Sequence, residues 1–153
     1  MSRKDTDFPI FLFHEGNNCE AYKLFSPRRI RVKGVDVWLF RVWAPHARAV
    51  SVVGDFNGWD REANSMKLLE KTDGIWEAFV PGLKVYDVYK FCVTQADGKQ
   101  VMKADPYALH SETSPATGSK LYESTYKWTD VKWMSARANS DPYSSPMNIY
   151  EVH

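Results

Sequence analysis

The strongest constraint on the fold is a series of short apolar stretches, each closed by Gly, Pro, Asn or Asp. The first convincing one covers residues 35–43. There Val35, Val37 and Leu39 alternate with Trp38, Phe40 and Val42, which predicts a strand apolar on both faces, ended by Pro45. Residues 49–53 form a second, and run into Gly54-Asp55-Phe56-Asn57-Gly58-Trp59-Asp60, a loop by composition. Residues 66–69 and 74–80 read as a hairpin across Thr72-Asp73-Gly74. Pro81-Gly82 turns the chain into residues 85–94, with Val88, Lys90 and Cys92 on one face and Tyr89, Phe91 and Val93 on the other. Residues 100–103 follow the turn Ala96-Asp97-Gly98-Lys99, Asp105-Pro106 closes that element, and residues 119–122 make a last short strand.

Strands of this length and spacing, with no long amphipathic helix and no internal repeat, predict an all-β, immunoglobulin-like (early-set) antiparallel β-sandwich. A chain of 153 residues can enclose one such core. The expected organisation is an irregular N-terminal lead over 1–27, containing a short helix capped by Asn18 and stopped at Ser26-Pro27, followed by the sandwich over 28–127. A C-terminal linker over 128–145 and a strand over 146–153 complete it. That last strand, Asn148-Ile149-Tyr150-Glu151-Val152-His153, ends the chain in mid-element and predicts truncation.

Charge and motifs exclude several functions. Twenty basic and nineteen acidic residues leave +1, too little field to attract nucleic acid or an anionic membrane. The one basic cluster, Arg28, Arg29, Arg31 and Lys33, reads as a solvated strand and turn. Cys19 and Cys92 have no metal spacing, and His14, His46, His110 and His153 are scattered, so neither a metal nor a cofactor is expected. There is no nucleophile elbow, phosphate loop or dinucleotide fingerprint. Without an apolar signal core in residues 1–7, a reducing cytoplasm is the expected compartment. Aromatic residues are abundant at 14%; they can fill a core or lie against the apolar faces of sugars.

Several segments, taken in order, carry a resemblance. They include Phe13-His14-Glu15-Gly16, Arg41-Val42-Trp43-Ala44-Pro45, Val52-Val53-Gly54-Asp55-Phe56-Asn57-Gly58-Trp59 and Tyr89-Lys90-Phe91. Lys103-Ala104-Asp105-Pro106-Tyr107-Ala108 and Pro146-Met147-Asn148-Ile149-Tyr150-Glu151-Val152-His153 follow. Together they resemble family 48 carbohydrate-binding modules, in the copy at the front of bacterial glycogen branching enzymes. The resemblance implies a parent that cuts α-1,4-glucan and rejoins it at a 6-hydroxyl with retention. Retention needs a carboxylate nucleophile and a carboxylic acid, which in that family lie on a catalytic barrel. No carboxylate here matches them, so the chain by itself is expected to have no catalytic residue. Its expected partners are α-1,4-glucan or glycogen, held weakly, and the missing barrel of the same polypeptide.

The resemblance also implies the site residues. Trp59, on a loop, would lie flat on a glucose ring; the alternative is that it folds back as a lid on the sandwich. Lys90 offers three donors to sugar hydroxyls, or simply faces solvent. Asn57 can bond a hydroxyl, or only serve the turn before Gly58. Thr117 falls near a glucan-contacting threonine of the family. One departure stands out: where glycogen-binding members such as the β-subunit of AMP-activated kinase carry a second stacking Trp, this chain has Gln100. Trp38, Trp43 and Trp76 are expected in the core or packed toward another domain.

Overall fold

Nine strands, three α-helices and one short 3-10 helix (Asp55–Asn57) are described in the computed structural model, which covers residues 4–153, with side chains from Asp7 onward. The strands are β1 (Arg28–Val32), β2 (Val35–Trp43), β3 (Ala49–Gly54), β4 (Lys67–Leu68), β5 (Ile75–Pro81), β6 (Val88–Thr94), β7 (Gln100–Lys103), β8 (His110–Ser111) and β9 (Ser119–Lys120). Two sheets result. The first has the order β1-β2-β5-β4; the second runs β3-β6-β9-β8, with β7 also on β6. Every pairing is antiparallel. The all-β sandwich is therefore as the alternation predicts.

The pleat decides what faces inward. On β2 and β5 the pairs Trp38↔Val80, Phe40↔Ala78 and Val42↔Trp76 share one face; on β3 and β6 the pairs Val50↔Val93 and Val52↔Phe91 share another. These faces meet in one core, which also takes in Tyr89 and Leu121. The two buried indoles are satisfied: Trp38 Nε1 donates to the Leu83 carbonyl and Trp76 Nε1 to that of Ala44, as buried donors require.

The N-terminal lead differs from expectation. Helix α1 (Lys4–His14) replaces the irregular stretch, whereas helix α2 (Ala21–Phe25) is the short helix expected before Ser26-Pro27. Its N-cap position is Glu20 and not Asn18, whose Oδ1 instead accepts from the Glu20 N–H. Residues 1–3 of the lead lie outside the described residues. Pro9 sits inside α1, a position that removes a helix hydrogen bond and argues against helix from sequence alone. Tertiary packing overrides it. Ile10 joins Leu24, Phe25 and Ile75 in a second apolar cluster on the outer face of the first sheet, with Phe13 and Tyr107 against it. The Phe25 and Tyr107 rings stack at 4.9 Å, and Phe13 meets Phe25 edge-on at 4.7 Å. This cover explains why β2 is buried on both faces. Trp43 is half exposed at the rim, edge-on to Phe13, with its indole donating to the Asp73 carbonyl. The basic cluster forms β1; Arg29 and Arg31 are exposed, but Arg28 is half-buried, and burial followed by the nearby Arg41 charge lowers its pKa.

The chain divides into two compact units after Glu123. The second contains helix α3 (Val131–Ala138), where an unstructured connector is the sequence expectation. Its Trp133 ring lies under the Arg137 guanidinium at 5.5 Å. The strand expected at 146–153 is not formed: no ladder partner pairs with it among the described residues, and a lone strand has nothing to satisfy its backbone.

Candidate carbohydrate site

The loop after β3 is built around Asn57. Its Oδ1 accepts from the Gly54 N–H at 3.0 Å, and its Nδ2 donates to the Val52 carbonyl at 3.0 Å and to Asn64 Oδ1 at 2.7 Å. That amide is engaged wholly within the loop, so Asn57 shapes the turn. Phe56 folds back against the main core. Gly58 and Trp59 then both take left-handed backbone, at φ 62° and 61°. For a Trp this conformation costs about 1 kcal/mol or more, and it persists only because the surroundings fix it. Two hydrogen bonds do so: the Trp59 N–H donates to the Gly54 carbonyl at 2.9 Å, and its Nε1 donates to Asp55 Oδ1 at 2.7 Å.

The Trp59 indole is half-buried and belongs to neither apolar cluster. Phe56, not Trp59, is the aromatic that closes the sandwich here. Sequence reasoning did not separate these two roles, since both rings flank the same Asn57-Gly58 turn.

Lys90 lies opposite Val53, one pair from the point where the loop leaves β3. Its Nζ donates to Thr117 Oγ1 at 2.7 Å, so two residues far apart in sequence share one patch. Thr117 is held by a return loop: the Glu112 N–H donates to the Gly118 carbonyl, and Gly118 N–H donates to Glu112 Oε2 at 2.8 Å. Strand register aligns Gly54, Tyr89 and Ser119 across β3, β6 and β9, which sets both loops on neighbouring positions of the second sheet.

Beneath them is a buried polar link. The Tyr89 hydroxyl donates to Asp105 Oδ2 at 2.7 Å, the Asp105 N–H donates to Ser119 Oγ at 2.8 Å, and the Tyr107 N–H donates to Asp105 Oδ1 at 2.8 Å. Burial pushes the Asp105 carboxyl up to about 6, against the opposing pull of its two hydrogen bonds. Burial, with the Asp105 charge next, also raises the Tyr89 phenol far above its usual range, so Tyr89 stays a donor.

Gln100 accepts from Arg61 Nη1 at 3.0 Å, so that position is a polar clasp without a ring. A further aromatic group that sequence spacing does not reveal joins Tyr86, His110 and Tyr122, with ring centroids 5.5 to 6.2 Å apart. Among the described residues no three His, Cys, Asp or Glu side chains gather as a metal site, and no helix is long and apolar enough to cross a membrane.

The family model for carbohydrate-binding module 48 (isoamylase N-terminal domain) matches residues 23–108, the segment that holds strands β1 to β7, Trp59 and Lys90. The chain belongs to the carbohydrate-binding module 48 family. Among its relatives is the 1,4-alpha-glucan branching enzyme GlgB of Thermosynechococcus vestitus, 42% identical over 153 residues, or 99% of this chain and 20% of that protein. The GlgB of Rhodococcus jostii is 43% identical over 151 residues, or 96% of this chain and 20% of that protein. The chain thus spans about one fifth of the length of the curated relatives it matches. Two solved structures share the fold. One is a putative alpha amylase from Salmonella typhimurium (TM-score 0.53, 24% identity, 71% of this chain and 16% of that one). The other is a pullulanase from Bacillus acidopullulyticus (TM-score 0.51, 24% identity, 65% of this chain and 12% of that one).

Proposed function

We propose that this family 48 module is the glucan-handling front region of a cytoplasmic 1,4-α-glucan branching enzyme, and that it holds α-1,4-glucan weakly at Trp59. The likeness to GlgB over nearly the whole chain supports the parentage. The parent would cut α-1,4 links and form α-1,6 links by retaining transfer between two barrel carboxylates. This chain contributes no catalytic residue to that reaction.

The observation that carries the binding reading is the Trp59 ring, held by its backbone and its own Nε1, yet outside both apolar clusters. A ring fixed before the ligand arrives loses little freedom on binding. It can rest on the C–H face of a glucose unit while Lys90 and Thr117 address the hydroxyls. Asn57 acts by shaping the loop. Lys90 and Thr117 already bond each other, so a sugar hydroxyl must insert between them or use their remaining donors and acceptors.

Affinity electrophoresis in glycogen-containing gels tests this. The chain should be retarded, and Trp59→Ala should weaken retardation by about one to two powers of ten, the scale of one aromatic stacking contact. Lys90→Met should produce a smaller loss. The Gln100–Arg61 clasp favours a second reading, in which the module only braces the barrel. Migration unaffected by glycogen would establish that reading and remove the first.

A further inference from the structure

The turn between β5 and β6 carries a strained aromatic residue. The Asp87 N–H donates to the Lys84 carbonyl at 3.2 Å, closing the turn, and Asp87 Oδ2 accepts from the Lys84 N–H at 2.7 Å. Tyr86 is the third residue of that turn, at φ +73°, where glycine or asparagine is usual. A bulky side chain on left-handed backbone is strained, and such strain persists only where the surroundings impose it. Two backbone bonds impose it here: the Tyr86 N–H donates to the Leu121 carbonyl at 2.7 Å, and the Leu121 N–H donates to the Asp87 carbonyl at 3.0 Å. Burial gives little in return, since Tyr86 is 56% exposed and belongs to neither apolar cluster.

Register places this ring on the face that holds Lys90. Tyr89 and Phe91 point into the core, so Val88 and Lys90 point outward, and pairing sets Lys120 and His110 beside Val88 on that outer side. A Cβ on Gly118, the residue after Thr117, would come within 2.6 Å of Val88 Cγ1. Val88 thus sits between the Lys90–Thr117 patch and Tyr86. The four residues from Lys90 back to Tyr86 span roughly 13 Å at the rise of a strand. The Tyr86 ring meets those of His110 and Tyr122, with centroids 5.5 and 6.2 Å away, so the three make one shelf. His110 Nδ1 lies 2.9 Å from the Ser111 carbonyl, which can only accept, leaving Nε2 of the neutral ring to accept from a hydroxyl. Two phenols and an imidazole give flat apolar faces with polar edges. That is the complement of a pyranose, which has C–H faces and a rim of hydroxyls.

We infer that Tyr86, His110 and Tyr122 form an outer subsite of the glucan site, engaged only by α-1,4-glucan chains long enough to extend past Lys90 and Val88. The inference rests on the Trp59 reading and adds to it a preference for long chains. Left-handed backbone at Tyr86, as at Trp59, fixes a ring on the surface before the ligand arrives.

The test is a residue-resolved NMR titration of the full chain with maltose, and separately with maltoheptaose. Both sugars should shift the amides of the Trp59 loop and Lys90; only maltoheptaose should also shift those of Tyr86, Leu121 and Tyr122. Tyr86→Gly supplies the residue that the turn favours, so its melting temperature should not fall below that of the wild type. It should weaken maltoheptaose binding by about tenfold, the scale of one stacking contact, and leave maltose affinity unchanged. His110→Ala, on an exposed edge strand, should repeat that pattern with a smaller loss. Maltoheptaose shifts confined to the Trp59 loop and Lys90, or a maltoheptaose affinity unchanged in Tyr86→Gly, would overturn the outer subsite and leave the Trp59 reading standing. An equal loss for both sugars would also overturn it, by making Tyr86 a support of the inner site. No response of the Trp59 loop to either sugar would overturn both readings.

Discussion

Gly54→Ala should lower the melting temperature by roughly 10 °C, and glycogen retardation should fall with it, because this glycine is where the sandwich and the Trp59 loop are joined. The cause is space, since the Gly54 backbone is extended at φ 179° and any residue could adopt it. A Cβ built there would lie 2.1 Å from the Val88 carbonyl oxygen and 2.5 Å from the Phe56 ring. The ring can rotate. The carbonyl belongs to β6, the strand on which β3 pairs, so relief requires the two strands to part. Overpacking a site bounded by backbone costs ~3 kcal/mol, a large fraction of a domain's total stability. The same shift would disturb the Gly54 N–H that bonds Asn57 and the Gly54 carbonyl that receives the Trp59 N–H. Gly58→Ala is the matched control. Nothing lies within 4 Å of its added Cβ, but its φ is +62°, so the substitution should cost only about 1 kcal/mol. Thermal unfolding followed by circular dichroism separates the two. Equal melting temperatures for the two variants would show that the β3–β6 pair opens freely at Gly54.

Elements with clean alternation and strong punctuation were legible in the sequence. Strands β2 and β7 fall where the alternation puts them, between turns that contain Pro or Asp-Gly. The two-residue strand β8 was not, because His110 and Ser111 have no strand character of their own and pair only since β9 runs beside them. Helix α1 was hidden for two reasons: Pro9 interrupts it, and the apolar run from Phe8 to Phe13 has no clear 3.6-residue period. Its reward is burial of Ile10 and Phe13 against a sheet face, which no local pattern records. Residues 148–153 form no strand here, since alternation cannot supply the neighbouring strand that a ladder needs. At the candidate site, Trp59 and Lys90 were singled out from the resemblance, but the 2.7 Å bond from Lys90 to Thr117 depends on loop closure through Glu112 and Gly118. Arg41 was quoted only as part of a motif. Its pairing with Glu77 follows from the register of β2 and β5, which no local pattern records.

Asp105 should make this module more stable in mild acid than at neutral pH, against the usual behaviour of paired carboxylates. Its carboxyl is pushed up to about 6 in the folded chain by burial, from an ordinary value of 3.8. The folded state therefore holds this proton more tightly than the unfolded chain does. The resulting stabilisation is complete below pH 3.8 and is lost as pH rises through about 6. Across that window the difference amounts to ~3 kcal/mol. Asp105→Asn isolates it, since an amide of the same shape keeps an acceptor for the Tyr107 N–H and does not titrate. Urea midpoints measured from pH 4 to pH 7 should show wild type losing ground steadily to Asp105→Asn as pH rises; parallel curves would mean that the carboxyl titrates normally. Tyr89→Phe should move the wild-type transition to higher pH, because the tyrosine hydroxyl stabilises the ionised form. The link reaches the candidate site through Ser119, whose hydroxyl accepts from the Asp105 N–H and whose strand follows directly on the Thr117 loop. Because Ser119 meets the Asp105 backbone N–H and not the titrating carboxyl, glycogen retardation should stay level from pH 7 to pH 5 in the wild type and in Asp105→Asn alike, while the stability difference between them changes.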